Sequence, residues 1–363
     1  MAYKMAFFGF CHRGGGAAQK WPVRNGEGNR KALARDARWL AEMVFLLCAL
    51  FSPILARAQA AEVPFKPPDD ICFKTQSIVS EGTRMAAELF ALEARKKEKL
   101  PTVILCHGWG GVARDLRPEA LAFARAGYFA VTFDYRGWGA SDARLILAGP
   151  TPTERRQQGF TARVREVREV VDPLDQTTDL MNAVHWVQGE PLCDTRRIGL
   201  WGSSYSGGHV VYVAARDPRI KAVVSQVPAL DSRWVVMDPT AQSQTFSEAT
   251  ARARGESGYP DPGARVVHNL RGAPIRERMM NYAPVDDVAR AANCAMLFIL
   301  AEKEEYVDNK ENGLKAFERA VGPKQLVTIP GIAHYGVYGE ARSQVQKLAI
   351  EWYDAHLKNV AAR

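Results

Sequence analysis

A serine in a tight turn of small residues, a histidine in a late loop and a carboxylate between them have the types needed for nucleophilic acyl chemistry. The serine lies in Leu200-Trp201-Gly202-Ser203-Ser204-Tyr205-Ser206-Gly207-Gly208, where an apolar strand runs straight into a helix. A nucleophile on such a turn needs small neighbours two positions before and after, because the strand and helix backbones nearly touch. Ser204 has Gly202 in front and Ser206 behind, a G-x-S-x-S match. Ser203 is flanked at those sites by Trp201 and Tyr205, which are too large, and Ser206 has Ser204 in front and would push the turn into the helix. The competing explanation is a Gly/Ser-rich turn without chemistry.

The base should be a histidine on a loop after the last strand. His12 lies in the N-terminal leader, His185, His209 and His356 in expected helices, and His268 in a long inserted segment. His334, in Pro330-Gly331-Ile332-Ala333-His334-Tyr335-Gly336, is the one that follows a late strand. The acid that orients it should follow the preceding strand, where Glu302, Glu304, Glu305 and Asp308 compete. Its usual place a few residues past the strand end selects Glu304, with Glu305 and Asp308 as alternatives and Asp231 as an outside one. A first buried strand ends in His107-Gly108-Trp109-Gly110-Gly111. There the backbone N–H of Trp109 can join that of Tyr205 as an oxyanion hole. His107 itself reads as a structural histidine bonded within the turn.

Eight strands are expected to position these groups. Residues 71–79 and 84–92 read as an antiparallel pair around Glu81-Gly82. Residues 101–106, 128–133, 197–201, 220–227, 295–300 and 325–329 are apolar enough to be covered on both faces. Helices intervene: one closing at Gly127, one carrying Leu180, Ala183, Val184 and Val187 at i, i+3, i+4, i+7, one from Tyr205, one near 309–320, and a last one striped by Val345, Leu348, Ala349 and Trp352. Alternating units of this kind imply a mostly parallel eight-stranded sheet with helices on both faces. Two stretches break the pattern and read as inserted cap segments. Residues 143–172, with Arg155, Arg156, Arg163, Arg165 and Arg168, read as a solvated excursion, and 228–292 is long enough to need helices of its own.

The formal charge of +8 sits mainly in the leader. Residues 1–60 hold nine Lys/Arg against three Asp/Glu, leaving 39 against 37 in the remainder, which argues against nucleic-acid binding. Basic residues, the apolar run Met43 to Leu55 and Ala58-Gln59-Ala60 make residues 1–60 an expected signal peptide. The protein would then be periplasmic or secreted, the alternative being a cytoplasmic chain with a disordered tail. No apolar run is long enough for a membrane span. Outside the leader, Cys72, Cys106, Cys193 and Cys294 form no C-x-x-C pair, so zinc and redox motifs are absent, and Cys106 reads as a buried free thiol.

His107-Gly-Trp-Gly-Gly111, Asp134-Tyr-Arg-Gly-Trp-Gly-Ala-Ser141, the Ser204 turn, Glu304 and His334 occur in the order of α/β-hydrolases. Over about residues 71–358 the chain resembles bacterial serine esterases grouped with dienelactone-hydrolase-like and Xaa-Pro dipeptidyl-peptidase-like proteins. The resemblance implies an α/β-hydrolase fold in residues 61–363, a serine nucleophile, a small-molecule ester substrate and no metal or organic cofactor. It departs from true dienelactone hydrolases, which use cysteine, and from the commoner Asp at the acid position. Ester hydrolysis through an acyl-enzyme is the expected activity. An Xaa-Pro-type peptidase and a non-catalytic hydrolase-like binding protein are the alternatives.

Overall fold

Unbroken apolar runs become the central strands. The computed structural model describes residues 64–150 and 159–359. The leader expected over residues 1–60 lies outside the described residues, as do residues 151–158 of the first excursion. The central sheet comprises β1 (Ile71–Ser80), β2 (Thr83–Leu92), β3 (Leu100–Cys106), β4 (Phe129–Phe133), β5 (Cys193–Ser203), β6 (Ile220–Gln226), β7 (Ala295–Ala301) and β8 (Lys324–Ile329). Their spatial order is β1-β2-β4-β3-β5-β6-β7-β8. β1 with β2 and β2 with β4 are antiparallel, and the other pairs are parallel. β3, β4 and β7 are buried along their whole length, as double-sided cover requires. The edge strand β8 begins with two exposed residues.

The chain turns back on itself between β3 and β5: β4 lies to one side of β3, and every later strand lies to the other. Such a switch point opens a crevice at the carboxyl ends of the strands. The two segments singled out for chemistry leave β3 and β5 at those ends.

Helices α1 (Arg117–Arg125), α2 (Pro173–Val187), α3 (Tyr205–Ala214), α4 (Pro239–Ala253) and α5 (Arg342–Tyr353) join a helical stretch at 310–319. Gly127 ends α1 at φ +88°, with Tyr128 N–H donating to the Phe123 carbonyl at 3.0 Å, the expected left-handed cap. α2 begins earlier than its apolar spacing suggests. Asp172 caps it, accepting from the N–H groups of Leu174 and Asp175 at 3.0 and 3.2 Å, and Pro173 fills the first position.

The two excursions differ from expectation. Residues 143–172 contain an antiparallel ribbon, Arg144–Leu147 with Val164–Val167, that lies outside the main sheet. Val170–Val171 pairs in parallel with Ala273–Pro274 of the second excursion. Nor is the arginine run wholly a solvated face: Arg168 donates to the Gly139 and Ser141 carbonyls. Residues 228–292 supply α4, several short turns and a small hairpin, Arg265–Val267 with Leu270–Arg271. These strands of two to four residues are too short for alternation to announce them. Among the described residues no helix is long and apolar enough to cross a membrane, and the four cysteines are free. Cys106 is fully buried, and burial pushes its thiol pKa well above the ordinary range.

Helix α3 is buried nearly all round and carries a histidine inside the core. His209 Nε2–H donates to Gln176 Oε1 at 3.3 Å, and Nδ1 accepts from the Tyr282 hydroxyl at 2.5 Å. Burial pushes its pKa down from 6.5 to about 3. The unfolded chain therefore takes up a proton that the folded chain refuses. The resulting stability is complete above about pH 6.5 and lost as pH falls towards 3. At pH 4 the loss is on the order of 3 kcal/mol. Chemical denaturation of wild type and His209→Gln at pH 7 and pH 4 should show the smaller acid loss in the variant. Equal losses would contradict this account.

Candidate active site

Ser204 follows β5 directly and precedes α3. Its backbone sits at φ +59° and ψ −124°, a strained conformation for a residue with a Cβ. The surroundings hold it there. Ser204 N–H donates to the Gln226 carbonyl at 2.9 Å, and the Ser204 carbonyl accepts from Gly207 and Ala229, each at 3.0 Å. A Cβ on Gly202 would lie 2.2 Å from the Ser206 carbonyl oxygen, so only glycine fits two residues before the serine. Two residues after it a small side chain does fit and is put to use. Ser206 Oγ accepts the Ser203 N–H at 2.9 Å and donates to the Cys106 carbonyl at 2.7 Å, tying the turn to the end of β3. The close approach to the following loop falls on Gly207 and Gly208, whose Cβ atoms would meet Pro228 and the Ala229 carbonyl.

His334 opens the turn His334–Tyr338 after β8. Ser204 Oγ lies 3.0 Å from His334 Nε2, within reach to donate its proton. On the other side of the ring, Nδ1–H faces both oxygens of Glu304, at 2.7 and 2.9 Å. The side chains of this pair are 3% and 2% exposed. Glu304 Oε1 also accepts from the Tyr306 N–H at 3.0 Å, which fixes the carboxylate from its own loop. Among the competing acids the structure therefore brings Glu304 to the imidazole. Glu305 instead accepts the backbone N–H of His334 at 2.9 Å. Asp308 accepts from Lys310 N–H at 2.8 Å, and Asp231 is held by Arg233.

Some positioning contacts had no sequence signature. Glu302 accepts the Gly331 N–H at 2.7 Å, so with Glu304 and Glu305 three carboxylates of one short segment grip the histidine loop. Beyond the histidine, the Tyr338 and Ser203 hydroxyls are hydrogen-bonded at 2.5 Å, and Gln226 Nε2–H donates to Ser203 Oγ at 3.1 Å. The far end of the histidine turn is thereby pinned to the strand that carries the serine. The tyrosine and serine are visible in the sequence, but their pairing spans 135 residues.

The glycine turn after β3 packs on the serine turn. A Cβ on Gly108 would lie 2.8 Å from the Ser203 carbonyl oxygen and 3.1 Å from Ser204 Cβ. Trp109 and Tyr205 both line the cleft with Ser204. Tyr205 is the first residue of α3, so its backbone N–H has no partner within the helix and lies at the positive end of the helix dipole. His107 bonds within the turn, its Nδ1–H donating to the Gly108 carbonyl at 3.1 Å, and its ring packs on Tyr135 at 4.5 Å. The Asp134–Ser141 segment braces this region from below. Asp134 accepts the N–H groups of Ala113 and Ala140 at 2.7 and 2.9 Å.

The cleft around Ser204 has a volume of about 910 Å³. Its carboxylates are already engaged. Asp231 is held by Arg233, Glu311 pairs with Lys315 at 2.7 Å, Asp115 accepts from Val112 N–H at 3.0 Å, and Asp308 is bonded as above. No cluster of His, Cys, Asp and Glu able to hold a metal ion occurs among the described residues.

The fold matches solved α/β-hydrolases. The α/β-hydrolase GrgF from Penicillium sp. sh18 superposes with a TM-score of 0.63 at 20% identity, covering 79% of this chain and 99% of that one. Acetyl xylan esterase 1 from Thermoanaerobacterium sp. JW/SL YS485 superposes with a TM-score of 0.53 at 18% identity, over 82% and 86%. An uncharacterized 31.7 kDa protein of the traX-finO intergenic region of Escherichia coli is 27% identical over 288 residues, 71% of this chain and 92% of the relative. The family profile for X-Pro dipeptidyl-peptidases (S15 family) matches residues 81–286. With its eight-stranded α/β-hydrolase sheet and that match over more than half of its length, the chain belongs to the X-Pro dipeptidyl-peptidase (S15) family.

Proposed function

We propose that the chain is a serine hydrolase that cleaves a carboxylic ester through an acyl-enzyme intermediate. The observation that carries this is the continuous run of hydrogen bonds from Ser204 Oγ through His334 to Glu304, at a serine held in a strained turn. His334 Nε2 takes the Ser204 proton as Oγ attacks the ester carbonyl, and the N–H groups of Trp109 and Tyr205 receive the oxyanion. Collapse of the tetrahedral intermediate breaks the carbonyl–alkoxy bond, and the imidazolium returns its proton to the leaving alcohol. Water then attacks the acyl-enzyme with His334 again as base, releasing the acid and restoring Ser204. Glu304 holds the imidazole orientation and balances its charge throughout.

Family membership favours a second reading, release of Xaa-Pro dipeptides. That activity calls for carboxylates set to take the substrate's amine, whereas the four that line this cleft each already accept from an arginine, a lysine or a backbone N–H. Ester hydrolysis is therefore the preferred reading. An alkyl fluorophosphonate tests it, with the adduct mapped by peptide mass. We expect a single adduct on Ser204, together with turnover of p-nitrophenyl butyrate that far exceeds turnover of a Gly-Pro-p-nitroanilide. Absence of labelling on folded protein would support a non-catalytic role, and the reverse substrate order would support the peptidase.

A further inference from the structure

Two residues of the second excursion are large, apolar and exposed where they face the cleft. Trp234 is 37% exposed and Met237 79% exposed, and both line the cavity that contains Ser204. The turn Arg233–Val236 is anchored by Val235, which is fully buried and whose carbonyl accepts the Thr245 hydroxyl at 2.6 Å. Met237 immediately precedes Asp238, the N-cap of α4, a position from which an apolar side chain often packs on the fourth helical residue. Here that residue is Gln242, so Met237 makes no such staple. Trp234 is held at its back by the Arg276 guanidinium, 5.8 Å from the ring centre.

The small hairpin supplies further apolar lining. Its two-residue tip, His268-Asn269, takes φ +44° and +58°, and so sets Val267 opposite Leu270 in register. Both side chains line the same cavity. The hairpin's base is fastened to the proposed oxyanion turn: Trp109 Nε1–H donates to the Gly272 carbonyl at 3.0 Å. Apolar groups on elements of fixed position thus flank the nucleophile. The cavity of about 910 Å³ is at the upper end of the range that houses drug-sized ligands and far larger than an acetyl group requires.

We infer that the substrate carries an extended apolar group, a chain or ring system of about six to ten carbons, lying against Trp234, Met237, Val267 and Leu270. This rests on the ester hydrolysis proposed above and specifies its substrate class. The apolar group could be bonded to the carbonyl carbon or to the alkoxy oxygen, and the test separates the two. Wild-type protein is assayed on p-nitrophenyl esters from acetate to octanoate, and by pH-stat on acetate esters from methyl to octyl, all below their aggregation limits. Each methylene that enters such a cleft should raise kcat/KM by up to about fourfold. In one series the rise from two to six carbons should reach at least about tenfold, and Met237→Ser and Trp234→Ala should each lower the octyl-to-short-chain ratio. A rise in the first series places the group on the acyl side, and a rise in the second places it on the alcohol side. Flat or falling profiles in both series, with acetate turnover that depends on Ser204, overturn this inference and leave the hydrolase reading standing. No Ser204-dependent turnover of any ester overturns both.

Discussion

Ser204→Ala and His334→Ala should each lower kcat for p-nitrophenyl butyrate by about 10⁴-fold or more, and the double variant should be scarcely worse than either single one. The non-additivity follows from the geometry. Ser204 Oγ and His334 Nε2 are 3.0 Å apart, so the serine is a weak nucleophile without the base, and the base has no proton to take without the serine. Residual turnover should come from the N–H groups of Trp109 and Tyr205, which neither substitution removes. Alanine keeps the Cβ at φ +59°, and every backbone bond that holds the turn remains, so thermal unfolding of Ser204→Ala should stay near that of wild type. The double-mutant cycle is read by steady-state kinetics alongside circular dichroism. Losses that multiply would mean that the two residues act independently, and the proposed mechanism would fail.

The parts of this arrangement that depend on local sequence were legible. Gly202 before Ser204 is dictated by a steric limit within five residues, since its Cβ would strike the Ser206 carbonyl. His334 follows from strand order, because a loop after the last strand reaches the same end of the sheet as the serine. The acid was harder. Glu302, Glu304, Glu305 and Asp308 are chemically alike, and the path of the loop backbone decides which carboxylate meets the ring and which meet backbone N–H groups. Ser206 could be read from the sequence only as a small residue two positions after Ser204. Its purpose lies in the Cys106 carbonyl, 100 residues away, and no local pattern reports that. The start of α2 was there to be read in Asp172-Pro173, a capping residue followed by a first-turn proline. Apolar spacing alone marks only the stretch from Leu180 to Val187. The ribbon Arg144–Leu147 with Val164–Val167 gave no such opportunity: most of its residues are exposed or half-buried, so no buried face imposed an alternation.

That ambiguity among acids gives the second large effect. Glu304→Gln should lower kcat by about 10³- to 10⁴-fold while changing KM little. The glutamine nearly matches glutamate in shape and can still reach Nδ1. It can do so by donating its amide N–H, which would hold the imidazole in the tautomer with its proton on Nε2, the atom that must accept from Ser204 Oγ. It also removes the negative charge from a site whose two side chains are 3% and 2% exposed, so the imidazolium formed during attack would stand without its counter-charge. Glu304→Asp keeps the charge but shortens the reach to a ring now 2.7 Å away, and a loss of about 10- to 100-fold is expected. Glu305→Gln provides the contrast. Its carboxylate accepts the His334 backbone N–H at 2.9 Å, a bond that an amide oxygen can also accept, so activity should fall less than about tenfold. The ranking of kcat across the three variants checks the assignment. A loss in Glu305→Gln equal to that in Glu304→Gln would show that the loop acts as one structural clamp and that Glu304 has no separate part in the proton transfer.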